Sequence, residues 1–311
     1  MGVFGVGLYS ADFAMDLRSA ISAVVRLPFD TDKLVDILCD AEPAIANKPD
    51  DEDHNTFWLV IADQFAKRSI VCDRVRAKAL GIIDSGADIA MQEKRGMNPS
   101  DLRKRQKMLE EVRKRITAPV ANGRPRPVLT KPQALLLDVG DVFVYPTFGG
   151  RCINPYFAFR ELDRLGTMSP AWKQDGWAAM VIVDNGRAFD FLAWYRPLTI
   201  SRARVQKPVI EELHGEVLWR LGRPGTCSPL HFKRMELEKI GAVPVDKDKV
   251  RRSFPNIRPG TSAAISDISI ANGLHVAPYI AEALMPRPDE ALNLNRGRVS
   301  TILGLPEILS N

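Results

Sequence analysis

The chain has 311 residues, of which 45% are apolar and 26% charged, with a formal net charge of +5. That length exceeds what one hydrophobic core usually organises, so two domains are expected. Its longest apolar runs fall far short of the roughly 20 residues of a membrane-spanning helix, and the N-terminus lacks the basic stretch and apolar core of a secretory signal, so the expectation is a soluble, cytoplasmic protein.

The charge is unevenly placed. Residues 1–93 carry 9 Lys and Arg against 16 Asp and Glu, residues 94–133 carry 12 against 3, and residues 134–311 carry 22 against 19. Only the middle is strongly basic. The four cysteines, Cys39, Cys72, Cys152 and Cys227, are scattered without a Cys-x-x-Cys pair, which predicts reduced, buried thiols rather than a zinc or redox site.

In chain order, Met1 to Ser10 interleaves Gly2, Gly5 and Gly7 with Phe4, Leu8 and Tyr9. No Gly-Lys-Ser/Thr follows and no strand precedes, so this is neither a phosphate loop nor a dinucleotide fingerprint. Val6 stands where a myristoylation signal wants Ser or Thr. Ser10 reads as an N-cap for a helix running to about Arg26, with Phe13, Leu17, Ile21 and Val24 on one face and Pro28 as its stop. A second helix follows Asp30 or Thr31. Lys48 to Asn55 holds four carboxylates and His54 but no calcium-loop spacing, so it reads as a solvated, acidic lead-in to the next helix. That helix, Thr56 to Lys67, places Trp58, Ile61, Ala62 and Phe65 on one face. Val71 to Ile83 repeats the pattern. Asn98 and Pro99 open a helix over Ser100 to Ile116, with Leu102, Leu109, Val112 and Ile116 on its apolar stripe.

Ala118 to Pro132 has proline at 119, 125, 127 and 132, which blocks helix and favours an extended, stiff segment. It reads as a linker. Beyond it, Leu135 to Pro146 suits a short buried strand, a turn at Asp138 to Asp141, and a strand over Val142 to Tyr145. Phe148 to Gly150 reads as a turn, and Cys152 to Phe157 as a strand. Two β-branched and aromatic runs, Trp177 to Val183 and Ala188 to Tyr195, flank Asn185-Gly186, the favoured centre of a two-residue hairpin turn. A strand over Glu216 to Leu221 follows. Ser228-Pro229 caps a helix predicted to reach Gly241, with an edge strand at Val243 to Val245. The tail is read as a basic turn over Lys247 to Arg258, a strand around Ala264 to Ala271, and helical pieces near Tyr279 to Leu284 and Val299 to Leu309.

The fold class this pattern predicts is α+β. It comprises a helical domain over 1–117, a Pro-rich basic linker over 118–133, and a mainly antiparallel β domain over 134–311 with one or two packed helices.

No catalytic constellation stands out. Nucleophilic catalysis wants Ser or Cys with a His and a carboxylate; the only histidines are His54, His214, His231 and His275, and no Gly-x-Ser-x-Gly elbow exists. His-Glu-x-x-His is absent. The residues therefore suggest no metal and no cofactor, and favour a non-enzymatic protein.

Met1-Gly2-Val3-Phe4-Gly5-Val6-Gly7, followed by Asp12, Ala14 and Asp16, resembles the opening of a bacterial domain of unknown function that reads Met-Gly-x-Trp-Gly-x-Gly, with Phe4 in place of Trp. The blocks Phe57 to Asp63 and Ala79 to Asp88 are similar to segments of the same proteins. The second half resembles, more loosely, the immunity proteins of bacterial polymorphic-toxin systems that carry a Gly-Asp-Val-Phe-Ala-Ile-Pro strand. Here the matching run is Gly140-Asp141-Val142-Phe143-Val144-Tyr145-Pro146, and His231 to Met235 with Ile240-Gly241 fit the same sort of protein. The resemblance implies a protein that binds and blocks a toxin-like protein partner and catalyses nothing itself.

On that reading an exposed face of the C-terminal sheet occludes the partner, and Tyr145, Trp177, Trp194 and Tyr195 are candidate anchors. General burial tendencies favour the same four as core. The alternative class is a nucleic-acid-associated protein contacting phosphates through Arg103, Lys104, Lys107, Arg113, Lys114, Arg115, Arg124 and Arg126. Residues 94–133 lack the aromatics that stack bases. A third class is an enzyme of unrecognised type. A basic middle also argues against mimicry of nucleic acid by an inhibitor.

Overall fold

The computed structural model describes residues 5–119, 126–153, 155–156, 173–213, 218–255, 259–276 and 302–304. The chain divides into two compact units, residues 1–131 and 132–311. The first is helical and the second is built on an antiparallel, curled sheet, so the fold class is α+β.

In the first unit the helices are α1 (Asp12–Val24), α2 (Thr31–Ala41), α3 (Pro43–Asn47), α4 (His54–Lys67), α5 (Asp73–Asp84), α6 (Ala87–Lys94) and α7 (Pro99–Thr117). The caps follow local chemistry. Asp30 accepts from the Lys33 N–H at 2.8 Å, and Asn98 accepts from the Asp101 N–H at 3.0 Å with Pro99 in the first turn, which satisfies amides that have no partner within the helix. At α1 the cap residue is Ala11, which has no side-chain acceptor; Ser10 lies one position too early.

Helix α4 organises the unit. Every residue from His54 to Phe65 is buried, because α1, α3, α5, α6 and α7 all pack around it. The sequence pattern suggested one apolar face; the helix is instead enclosed on all sides, the condition expected of a central core helix. Its polar groups are matched accordingly. The Trp58 indole N–H donates to the Ala46 carbonyl at 3.3 Å, and His54 Nδ1 pairs with the Ile45 carbonyl at 2.7 Å. Helix α6, which the sequence reading passed over, contributes buried Asp88 and Gln92.

The second half of the Pro-rich stretch belongs to this unit. The Leu129 N–H donates to the Arg26 carbonyl at 2.7 Å, and the Arg126 guanidinium donates to the Val25, Leu27 and Phe29 carbonyls beyond the end of α1.

The second unit contains β1 (Asp141–Phe148), β2 (Arg151–Cys152), β3 (Gln174–Ala188), β4 (Leu192–Ile200), β5 (Leu218–Leu221), β6 (Glu238–Ala242) and β7 (Ile302–Gly304). The sheet order is β2-β1-β3-β4-β5-β7, with β6 pairing β1. β1 is central, joined to β3 along one side and to β6 and β2 along the other. Short helices α8 (Pro229–Arg234), α9 (Lys247–Ser253) and α10 (Thr261–Ser266) and a 3₁₀ turn over Ile270–Gly273 complete it.

Several expectations are corrected here. Asn185-Gly186 is not the hairpin turn. β3 runs through it, with Asn185 opposite Tyr195 and Gly186 opposite Trp194. The chain reverses at Phe189 and Asp190, whose φ angles of 52° and 63° are both positive, closed by Phe191 N–H to Ala188 C=O at 3.0 Å. The glycine has another use: a Cβ there would lie 3.0 Å from the Trp194 ring, and one on Gly260 would lie 2.4 Å from it. The indole occupies the space that both glycines leave open.

The helix expected to run to Gly241 ends at Arg234. Glu236 takes φ 52° and turns the chain into β6, so Ile240 and Gly241 lie in a strand. The edge strand is accordingly β6 rather than Val243 to Val245. Lys247 to Ser253 is helical, capped by Asp246, where a turn was predicted. Ala264 to Ala271 forms the end of α10 and part of the 3₁₀ turn rather than a strand, because Asp267 at φ 56° breaks the backbone direction. Residues 135–138 join no strand, and among the described residues of the strand expected over Cys152 to Phe157, interrupted at Pro155, only Cys152 lies in β2. Ile302–Gly304 is a strand rather than helix. The predictions for Tyr279 to Leu284 and for Glu216 and Val217 lie outside the described residues.

Gly140 shows why a glycine stands immediately before β1. Its φ is 95°, and a Cβ there would meet the Val243 carbonyl oxygen at 2.3 Å, so only glycine allows this approach of two backbones. Asp141, nearly buried, accepts from the Asp138 N–H at 3.1 Å and pairs with Lys239 at 2.6 Å.

Candidate functional site

Three of the four aromatic anchor candidates are core residues. Tyr145 and Tyr195 are fully buried and Trp194 nearly so; Trp177 alone is half-buried. The two buried hydroxyls have internal partners. Tyr145 Oη lies 2.8 Å from Thr199 Oγ1, and Tyr195 Oη accepts from the Leu136 N–H at 2.8 Å. The sheet face proposed to carry them is not open: β1 is buried from Asp141 to Thr147 and β4 from Leu192 to Ile200.

The basic residues of α7 are also engaged. Arg113 pairs with Asp84, Arg115 with Asp63, Lys104 with Asp101 at 2.8 Å, and Lys114 with Glu111 at 2.7 Å. Arg103 and Lys107 are exposed, Arg126 is tied to carbonyls as described, and Arg124 lies outside the described residues. Arg105, which the sequence reading did not single out, is the most deeply placed cation of the helix. It holds Asp88 through two bonds of 2.8 and 2.9 Å and donates to the Gly7 carbonyl at 3.0 Å. Three aspartates of the motif blocks, Asp63, Asp84 and Asp88, thus each meet an arginine of α7. Asp63, almost fully buried, also accepts from the Tyr9 hydroxyl and pairs with Lys67 at 2.6 Å. Burial, followed by the bond to Asp63, pushes the Tyr9 phenol well above its ordinary range.

A cavity of about 220 Å³ in this unit is lined by Phe65, Ile70, Cys72, Val75, Arg115 and Ile116 among others. Burial raises the Cys72 thiol, which opposes a nucleophilic role. Cys39 and Cys72 are half-buried, while Cys152 and Cys227 are buried, and all four are free. Among the described residues no group of three His, Cys, Asp or Glu side chains is placed to hold a metal ion. His214 lies outside them. The His231 backbone N–H receives a cap from Ser228 Oγ at 3.1 Å, so that adjacency is explained by helix capping.

Three exposed apolar side chains of the second unit lie on or are held against α8 and the α10–3₁₀ connection. Tyr156, Leu230 and Ile268 are 51%, 52% and 39% exposed. The Tyr156 hydroxyl donates to the Asp267 carbonyl at 2.7 Å, and its ring packs edge-on against His231 with centroids 4.9 Å apart. Leu230 adjoins His231 and Ile268 adjoins Asp267. Arg234 donates to the Pro155 carbonyl at 2.7 Å, and the Thr226 N–H donates to the Ile268 carbonyl at 2.6 Å. The tyrosine is therefore held at both ends and still shows half its surface. Sequence reasoning missed it because one tyrosine after a proline carries no periodic signal.

No family model, curated protein or solved structure matches the chain. No helix among the described residues is long and apolar enough to cross a membrane.

Proposed function

We propose that this is a non-enzymatic protein of the bacterial toxin-immunity type, whose C-terminal unit binds a partner protein through the surface around Tyr156, Leu230 and Ile268. The observation that carries the reading is the pinned, half-exposed Tyr156, whose partners His231 and Asp267 are chain neighbours of the exposed Leu230 and Ile268. A large side chain already fixed by a hydrogen bond and a ring contact loses little conformational freedom on binding, which is the property of interface anchors. The likeness of Gly140 to Pro146 to an immunity-protein strand supplies the type of partner. The surface replaces the sheet face expected from sequence, since that face is covered.

The test is capture of partners from host extract by the tagged chain after nuclease treatment and at high salt, beside Leu230→Ser and Tyr156→Ser. One stoichiometric protein retained by the parent chain and lost from both variants supports the reading. Equal retention by the variants, or retention that nuclease abolishes, contradicts it.

A further inference from the structure

The segment from Ser269 to Val276 straps the second unit. At one end Ser269 bridges Thr226, and a Cβ on Gly273 would lie 2.6 Å from the Arg223 nitrogen. At the other, the Cys152 N–H donates to the Leu274 carbonyl at 3.3 Å, the Val276 N–H to the Gly150 carbonyl at 2.8 Å, and Arg151 pairs with His275. The strap thus joins the edge strand β2 to the end of β5, places His275 directly across from Arg151, and lays the chain two residues before it against Arg223. Arg220 lies on β5 opposite Thr199, the residue that bonds the Tyr145 hydroxyl.

The backbones of Arg151 and His275 therefore meet across the strap, Arg223 lies against it at Gly273, and Arg220 stands on β5 three residues before Arg223. None of the three arginines is in an ion pair among the described residues. Asp175, beside Gly150, is already occupied by Thr147 Oγ1 at 2.7 Å and the Gly150 N–H at 3.2 Å. Arg220 is half-buried, and desolvation lowers its pKa. His275 is lowered first by burial and then by Arg151, partly offset by the Asn272 backbone, with Arg220 and Arg223 adding to the lowering. The exposed Arg151 and Arg223 and the half-buried Arg220 oppose protonation of the half-buried His275 by like-charge repulsion, and a bound anion would relieve that. Guanidinium forks suit oxyanions, and three of them suit one carrying more than a single charge.

We propose that Arg151, Arg220, Arg223 and His275 form a binding site for a small phosphate-bearing ligand. The site stands independently of the protein-binding surface at Tyr156. A phosphate seated among the arginines reverses the local field at His275 and favours its protonated form.

The experiment is calorimetric titration of the full chain with inorganic phosphate and with pyrophosphate at matched ionic strength, together with an NMR pH titration of the histidines in each. Saturable binding is expected, tighter for pyrophosphate, with an upward shift of the His275 pKa on binding. Arg151→Gln and Arg223→Gln, both at exposed positions, should each weaken it by about tenfold, the scale of losing a charge-assisted bond. Lys94→Gln, at an exposed position of α6, should leave it unchanged. Absence of saturable binding, an unmoved His275, or equal weakening by Lys94→Gln would overturn the proposal. Circular dichroism of each variant separates loss of the site from loss of the fold.

Discussion

Removing Arg105 is expected to damage the helical unit far more than removing any other cation of α7. The Arg105 and Asp88 side chains are 4% and 0% exposed, whereas those of Arg113 and Asp84 are 48% and 50% exposed. Deleting one partner of a buried pair strands the other charge and costs about 3–5 kcal/mol; an exposed pair contributes about 0–1 kcal/mol. Arg105→Met should therefore destabilise the unit by about 4 kcal/mol, on the order of a thousandfold in the opening equilibrium, and Arg113→Met by under about 1 kcal/mol. Asp88→Leu combined with Arg105→Met removes both charges at similar volume and should recover most of the loss, less about 1 kcal/mol for the Gly7 carbonyl left without its donor. Native-state hydrogen exchange of α7 amides in the full chain reads the effect locally, so unfolding of the second unit does not enter. Equal effects of the Arg105 and Arg113 variants, or a double variant no better than the single, would refute the reasoning.

Three further outcomes are expected. At the hairpin, Asp190→Gly relieves a left-handed backbone and should stabilise by up to about 1 kcal/mol, while Gly186→Ala forces the Trp194 ring aside and should destabilise by about 1–3 kcal/mol; urea unfolding followed by tryptophan fluorescence checks both, and the opposite signs would restore Asn185-Gly186 as the turn. Burial pushes the Cys227 thiol up to about 12 and raises Cys152 as well, so mass-spectrometric mapping at pH 8 should find iodoacetamide on Cys39 and Cys72 well before Cys152 and Cys227. His231 is pushed below the ordinary histidine value, first by burial and then by Arg234, against an opposing pull from Asp267. The unfolded chain therefore binds the proton more readily, and stability contributed by neutral His231 is lost as pH falls through the ordinary value of about 6.5. Urea midpoints at pH 7 and pH 5 should fall less for His231→Gln than for the parent chain, and an identical fall would remove His231 from the account.

Local signals carried much of the helical unit. The Asn98-Pro99 opening of α7 and the Asp30 start of α2 are side-chain caps, read directly from residue type. What was illegible there is pairing over distance: Arg105 differs from Lys104 and Lys107 only in facing α6, and nothing in the periodicity identifies Asp88 as its partner. The motif blocks carry that information indirectly, since their aspartates are the residues that α7 holds. In the second unit, dipeptide signals misled wherever packing overrode them. Asn185-Gly186 favours a turn in isolation, but Gly186 faces an indole that a Cβ would crowd at 3.0 Å. Positive φ at Phe189 and Glu236 redirects the chain at residues with no local signature for it. The anchor aromatics failed for a related reason: Tyr145 and Tyr195 stand on strands covered on both faces, and alternation alone does not tell a covered sheet from an open one. Tyr156 is held by residues 75 and 111 positions later in the chain, His231 and Asp267.

The most direct test of the account replaces Leu230 with a photo-crosslinking amino acid in the full chain expressed in its host, beside the same replacement at Lys107 on α7. Illumination should join position 230 to a single protein and position 107 to none, and Tyr156→Ser in the same chain should abolish the adduct. Equal labelling from both positions, or an adduct at 230 indifferent to Tyr156, would contradict a partner-binding surface at this site.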